Sequence, residues 1–168
     1  MVRTPPPVVV GVTSGQPDAV VLAAAEFATR FGAELICAAV DPSRYVLEER
    51  PDGSMTSASF DPDSLEQAAA EFDPGLRDQI ERVLHGRPVT WSTRALAGDP
   101  ARALGRLAGT VRAVMIIVGS REPTIRHGFR SFFTGSIAVR LAHGQHRPVV
   151  IIPLNPVPFG EELPWDEG

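Results

Sequence analysis

Apolar positions along this chain fall into two alternating kinds of run, and the alternation predicts a fold. Five short stretches rich in β-branched residues read as strands: Val8 to Thr13, Glu34 to Asp41, Val89 to Leu96, Ala113 to Val118 and Pro148 to Pro153. The second to fifth have little polar alternation at their centres or are short apolar runs, the pattern of a sheet covered on both faces. Between them the spacing becomes helical. Pro17 to Phe31 puts Val21, Ala24, Ala25, Ala28 and Phe31 on one face, and Gly32 stands where a C′ glycine ends a helix. Asp99 followed by Pro100 is a cap-then-proline start for a helix running to Gly109.

Ser64 to His85 is helical by composition and is interrupted at Asp73-Pro74-Gly75, where Asp73 caps and Pro74 takes the first helical position, so two successive helices are expected. Phe132 to His143 carries Phe133, Ile137 and Leu141 at i, i+4 and i+8, with Gly144 as the stop. Strands alternating with helices, with no hairpin signal between them, predict a parallel sheet with right-handed crossovers. Pro42 to Pro62 reads as a polar loop without structure of its own, of a length typical of lids. Residues 1–155 are expected to form one domain, followed by a proline-rich acidic tail over 156–168 whose Phe159, Leu163 and Trp165 suit a draping arm or a protein-docking motif.

Composition narrows the chemistry. A length of 168 residues suits one domain with a sizeable core, and a net charge of −4 gives no reason to expect nucleic acid as a partner. Charge is nevertheless uneven: Gly119 to Arg147 holds Arg121, Arg126, Arg130, Arg140 and Arg147 against the single acid Glu122. All 16 basic residues are arginine, which excludes a P-loop lysine and Schiff-base chemistry, since both need a primary amine. The lone Cys37 lies in an apolar run and is expected in the core, in a reduced, cytoplasmic setting. No apolar run is long enough to span a bilayer, and the N-terminus has no signal-peptide pattern, so no membrane association is expected.

Candidate chemistry concentrates where the fourth strand ends. The strand finishing at Gly119 feeds a polar loop and then the Gly135-Ser136 step into a helix, whose N-terminal N–H groups and dipole favour an anion, usually a phosphate. Arg121, Arg126 and Arg130 lie in the same loop, with Arg121 best placed to help. Arg140, within the last helix, and Arg147, beyond it, are expected to be structural or interfacial. His143 and His146 lack a third ligand of suitable spacing, and Ser14, Ser120 and Ser136 lack a nucleophile-elbow context, so neither a metal centre nor seryl catalysis is expected. Asp99 reads as a helix cap.

Four stretches together resemble the universal stress protein family, across roughly Pro7 to Pro153: VVVGVTSGQPDAV at the first strand, RALAGDPARAL, AVMIIVGSR, and TGSIAVRLAHGQHRPVVIIP at the end. The resemblance implies an open five-stranded parallel sheet in the order 3-2-1-4-5 with helices on both faces, of the adenine-nucleotide α-hydrolase-like, Rossmann type. It further implies a homodimer through the strand at 148–153 and, as in many members, an adenine nucleotide such as ATP at the strand carboxyl ends, with no metal beyond nucleotide-bound magnesium. In that order the first and fourth strands are neighbours at a reversal of strand order, where ligands of open α/β sheets bind. The implied lining is Thr13, Val40, Gly119, Ser120, Arg121, Gly128, Gly135 and Ser136, with Val40 offering backbone groups to an adenine edge.

Nucleotide-binding members show glycine, two residues, glycine, nine residues, glycine, then serine or threonine. Here Gly119, Gly135 and Ser136 match the ends, Glu122 and Pro123 stand at the middle glycine, fifteen residues separate Gly119 from Gly135, and Gly128 is the substitute. Thr13 stands where binding members usually carry aspartate. Exchanging a charge-assisted for a neutral hydrogen bond loses on the order of 1 kcal/mol. Three functional readings follow: a nucleotide-binding stress-type domain, a nucleotide-free dimeric interaction module of the same fold, and a nucleotide phosphohydrolase depending on Glu122. Of these, a non-enzymatic binding domain is the expected one.

Overall fold

The computed structural model describes residues 5–51, 55–59, 67–69, 71–120, 135–154 and 156. In chain order the elements are β1 (Val8–Val12), α1 (Ala19–Phe31), β2 (Leu35–Asp41), β3 (Arg44–Glu49), β4 (Met55–Ser59), β5 (Gln67–Ala69), α2 (Pro74–Leu84), β6 (Trp91–Ala97), α3 (Pro100–Thr110), β7 (Met115–Gly119), α4 (Gly135–Gly144) and β8 (Val149–Ile152).

Five strands pair in parallel in the order β6-β2-β1-β7-β8, which is the expected 3-2-1-4-5 arrangement. β1 is central: Val10 lies opposite Cys37 on one side and Ile117 on the other. Successive side chains of a strand point to opposite faces, so a strand buried on both faces must be apolar at every position. Val8, Val10 and Val12 accordingly join one core cluster with Val20, Ala24 and Ala28 of α1 and Ile80 of α2, while Val9 joins a second with Leu104 and Leu107 of α3 and Leu141 of α4. The Cys37 thiol is buried in the first cluster, and burial pushes its pKa up to about 12, which leaves it unreactive.

Helix ends follow the sequence signals. Gly32 caps α1 with φ 60°, and the Ala33 amide donates to the Ala28 carbonyl. Asp73 accepts from the Leu76 amide at 2.6 Å to cap α2. Asp99 caps α3 by accepting from the Arg102 amide at 3.0 Å, and its other oxygen accepts from Arg140 Nη1 at 2.6 Å. Arg147 donates from Nε to the Ala113 carbonyl at 3.0 Å, tying the approach to β8 to the approach to β7. Both arginines therefore have structural partners.

The Asp99 carboxyl sits below its ordinary range: partial burial raises it, but the Arg102 amide and the Arg140 guanidinium outweigh that. A depressed folded-state pKa means that the stability Asp99 contributes is in place above its unfolded value of about 3.9 and is lost as pH falls through the folded value. Asp99→Ala should cost about 0.5–2 kcal/mol in chemical denaturation near neutral pH. The difference between variant and parent should shrink in acid; a constant difference down to the acid limit would contradict the cap and ion pair as its source.

Three expectations are corrected. The segment from Pro42 to Pro62 is not a structureless loop: β3 and β4 pair antiparallel within it, and β5 adds to β4 to give a three-stranded sheet. Residues 67–69, expected in a helix, form β5, because β4 presents a free edge to which they can hydrogen-bond. Phe31, expected on the buried face of α1, is 53% exposed, because the left-handed turn at Gly32 ends the helix before its last side chain reaches the sheet.

Candidate functional site

A cavity of about 650 Å³ opens at the carboxyl ends of β1, β2 and β6, beside the N-terminus of α2. Its sheet-side lining is apolar, from Val12, Ala39, Val40, Ala95 and Leu96, and its polar lining comes from the chain at the ends of β1 and β2 and from the approach to α2. After β1 come Thr13 and Ser14. They are held by a turn in which the Gln16 amide donates to the Thr13 carbonyl at 3.2 Å, with Gly15 at φ 75°, a conformation that an L side chain rarely adopts.

After β2, Asp41 Oδ1 accepts from both the amide (2.9 Å) and the hydroxyl (2.6 Å) of Ser43, an Asx turn that leads the chain into β3. Arg44, the first residue of β3, also lines the cavity, as do Glu71 and the α2 cap Asp73. The amide of Gly98, just past β6, donates to the Asp41 carbonyl at 3.0 Å and so fastens the ends of β2 and β6 together. The arrangement joins a flat apolar surface, two hydroxyls, three carboxylates and one guanidinium. Among the described residues no group of three or more histidine, cysteine, aspartate or glutamate side chains is placed to hold a metal ion.

Of the residues singled out in the sequence, Thr13 and Val40 line this cavity together. Gly119 and Ser120 lie at the end of β7 and are not among its lining residues. The Ser120 amide donates to the Ile152 carbonyl at 2.7 Å and its hydroxyl accepts from the Leu154 amide at 2.9 Å, so it binds the chain leaving β8. A Cβ on Gly119 would lie 2.8 Å from Val20 Cγ2, 2.9 Å from Gln16 Nε2 and 3.1 Å from Leu154 Cδ1. Gly135 and Ser136 open α4. Arg121, Gly128 and Glu122 fall outside the described residues.

The cavity thus lies on the β2 and β6 side of β1, whereas the sequence reading centred on the β1–β7 crevice. Asp41, Arg44, Glu71, Ala95 and Leu96 were not singled out beforehand. A signal existed for three of them: Asp41, before Pro42, ends the second apolar run, and Ala95-Leu96 ends the third.

The sequence profile of the universal stress protein family matches residues 6–153. The chain belongs to this family. A comparison with curated proteins found no match. Several solved structures of universal stress proteins share the fold. One from Archaeoglobus fulgidus in complex with dAMP is 18% identical, with a TM-score of 0.55, covering 90% of this chain and 99% of that one. A universal stress protein in complex with cAMP is 21% identical, with a TM-score of 0.55 and coverages of 90% and 98%. A family protein from Arabidopsis thaliana with AMP bound is 14% identical, with a TM-score of 0.50 and coverages of 89% and 93%. At these identities the likeness establishes the universal stress protein fold. Among the described residues no helix is long and apolar enough to cross a membrane.

Proposed function

We propose that this universal stress protein binds an adenine nucleotide at the carboxyl ends of its strands and acts as a cytoplasmic homodimeric binding domain, not as an enzyme. The observation that carries the reading is the cavity of about 650 Å³ beyond β1, β2 and β6, within the usual size of small-molecule sites and at the end of the sheet where open α/β folds take ligands. Its chemistry suits a nucleoside: Val12, Ala39 and Ala95 give an aromatic base an apolar surface, while Thr13, Ser14 and Asp41 are partners for ribose hydroxyls. The three similar structures, whose bound molecules are dAMP, cAMP and AMP, support the same ligand class. ATP belongs to that class, with magnesium only as the nucleotide carries it. For the dimer, the support is the outer edge strand β8, where Ile151 is half exposed and the neighbouring helix α4 exposes Val139. Sedimentation that returns only monomer would remove this part of the proposal.

Thermal denaturation with AMP, cAMP and ATP tests the ligand. At a hundred times the dissociation constant a ligand adds about 2.7 kcal/mol, and each kcal/mol raises Tm by roughly 2–4 °C in a domain of this size. Ala95→Phe, which fills the cavity from an edge strand, should abolish the gain while leaving the unliganded protein folded. If millimolar nucleotide gives no gain, the chain is instead a nucleotide-free interaction module. That second reading draws support from Gly119, whose surroundings are taken up by Val20, Gln16 and Leu154 of the chain itself.

A further inference from the structure

Ser57, on β4, is the one buried polar side chain among the described residues. A hydroxyl taken fully out of water is costly unless it is hydrogen-bonded, and the partner it finds identifies what the burial serves. That partner is Arg44. The Arg44 Nε donates to Ser57 Oγ at 2.8 Å and Nη2 donates to the Ser57 carbonyl at 3.0 Å. Arg44 pairs in register with Ser59 and Val46 with Ser57, so the two bonds run diagonally across the β3–β4 pair. One buried residue thus holds the guanidinium through two different acceptors, which fixes both its position and its plane.

Both acceptors are neutral. Among the described residues no carboxylate forms an ion pair with Arg44, although Asp41, Glu71 and Asp73 line the same cavity. A guanidinium has five N–H donors, and the bonds to Ser57 use two of them. The remaining donors, including the whole Nη1 group, form the fork that recognises phosphate or carboxylate oxygens in a bidentate manner. Partly buried, rigidly held and without a counter-ion among the described residues, this charge is suited to an anionic group brought by a ligand. With Asp41, Glu71 and Asp73 in the same lining, a ligand of low negative charge meets less repulsion than one of high charge.

We infer that Arg44, held in place by Ser57, anchors the single phosphate group of a small ligand in this cavity, and that the β3–β4–β5 sheet serves to carry it there. On the nucleotide reading above, the ligand is a nucleoside monophosphate, linear or cyclic, and Arg44 is the residue that separates it from the free nucleoside.

Titration calorimetry and thermal shift with adenosine, AMP and inorganic phosphate test this on the full chain and on Arg44→Gln and Arg44→Lys. Gln keeps a donor for Ser57 without the charge, and Lys keeps the charge without the fork. The parent protein should bind AMP about tenfold to a hundredfold more tightly than adenosine, the range expected of a charge-assisted contact. Arg44→Gln should erase that ratio by weakening AMP far more than adenosine, and Arg44→Lys should restore part of it. Ser57→Ala should lower the ratio by loosening the guanidinium, which a purely structural role for Ser57 would not do. An unchanged AMP-to-adenosine ratio in Arg44→Gln would overturn the inference. If no nucleoside binds but phosphate stabilises the parent protein and not Arg44→Gln, the nucleotide reading falls and the anion role of Arg44 stands. If phosphate and AMP act alike on both proteins, or on neither, the anion role falls.

Discussion

Ile117→Ala should remove about 2–5 kcal/mol of stability, the range expected when a fully buried aliphatic side chain is cut back to alanine. Ile117 is fully buried at the middle of β7, opposite Val10 of β1 and Val150 of β8, and its side chain belongs to the cluster packed under α1. Two effects add: the transfer free energy of the deleted carbons, and the void left in a region whose neighbours are held in register by strand pairing on both sides. Domains of this kind are stable by only about 5–15 kcal/mol in all, so the loss would be a large share of the total. Urea denaturation should show a lower midpoint with little change in slope. Ile117→Val, which removes one methylene, should lose about 0.5–1.5 kcal/mol. A loss below that range for alanine would mean that β7 is not the closely packed centre of the sheet.

The second large effect is expected at Gly119, and it concerns why glycine stands there. A Cβ would come closer than real side chains do to α1 at Val20 and to the β1–α1 turn at Gln16, and would lie tightly against the chain after β8 at Leu154. The Gln16 amide is the end of a flexible side chain and can move. Val20 is fully buried on α1 and cannot do so without disturbing the core. Gly119→Ala should therefore cost about 1–3 kcal/mol with no ligand present, and Gly119→Val more. Urea denaturation of the ligand-free protein measures this. If Gly119→Ala were as stable as the parent, the packing account would be wrong, and a glycine kept for ligand approach would regain its place.

Legibility in the sequence followed the range of the interactions involved. The five strands of the main sheet, the start of α2 at Asp73-Pro74 and that of α3 at Asp99-Pro100 depend on neighbours within a few residues, and each carries its own signal. The small sheet had a signal as well, since Tyr45-Val46-Leu47 and Thr56-Ser57 flank Pro51-Asp52-Gly53, a turn sequence. The polarity of the segment masks it, which is why the segment reads as a loop. A sheet that covers a cavity wall needs few apolar residues of its own, and β5 exists only because β4 offers it an edge.

The sequence by itself determined the alternation of elements, the helix caps, the burial of both faces of the main sheet and membership of the universal stress protein family. These rest on local periodicity, local capping and the order of motifs. Only the tertiary structure decided that the cavity lies beyond β1, β2 and β6, that Arg44 reaches it, and that Gly119 is needed by packing. Asp41 and Ala95 meet Thr13 there because β2 pairs with β1 and β6 with β2, and Leu154 meets Gly119 because β8 pairs beside β7. Such meetings join residues far apart in the chain, and strand pairing in space, which no local pattern encodes, brings them together.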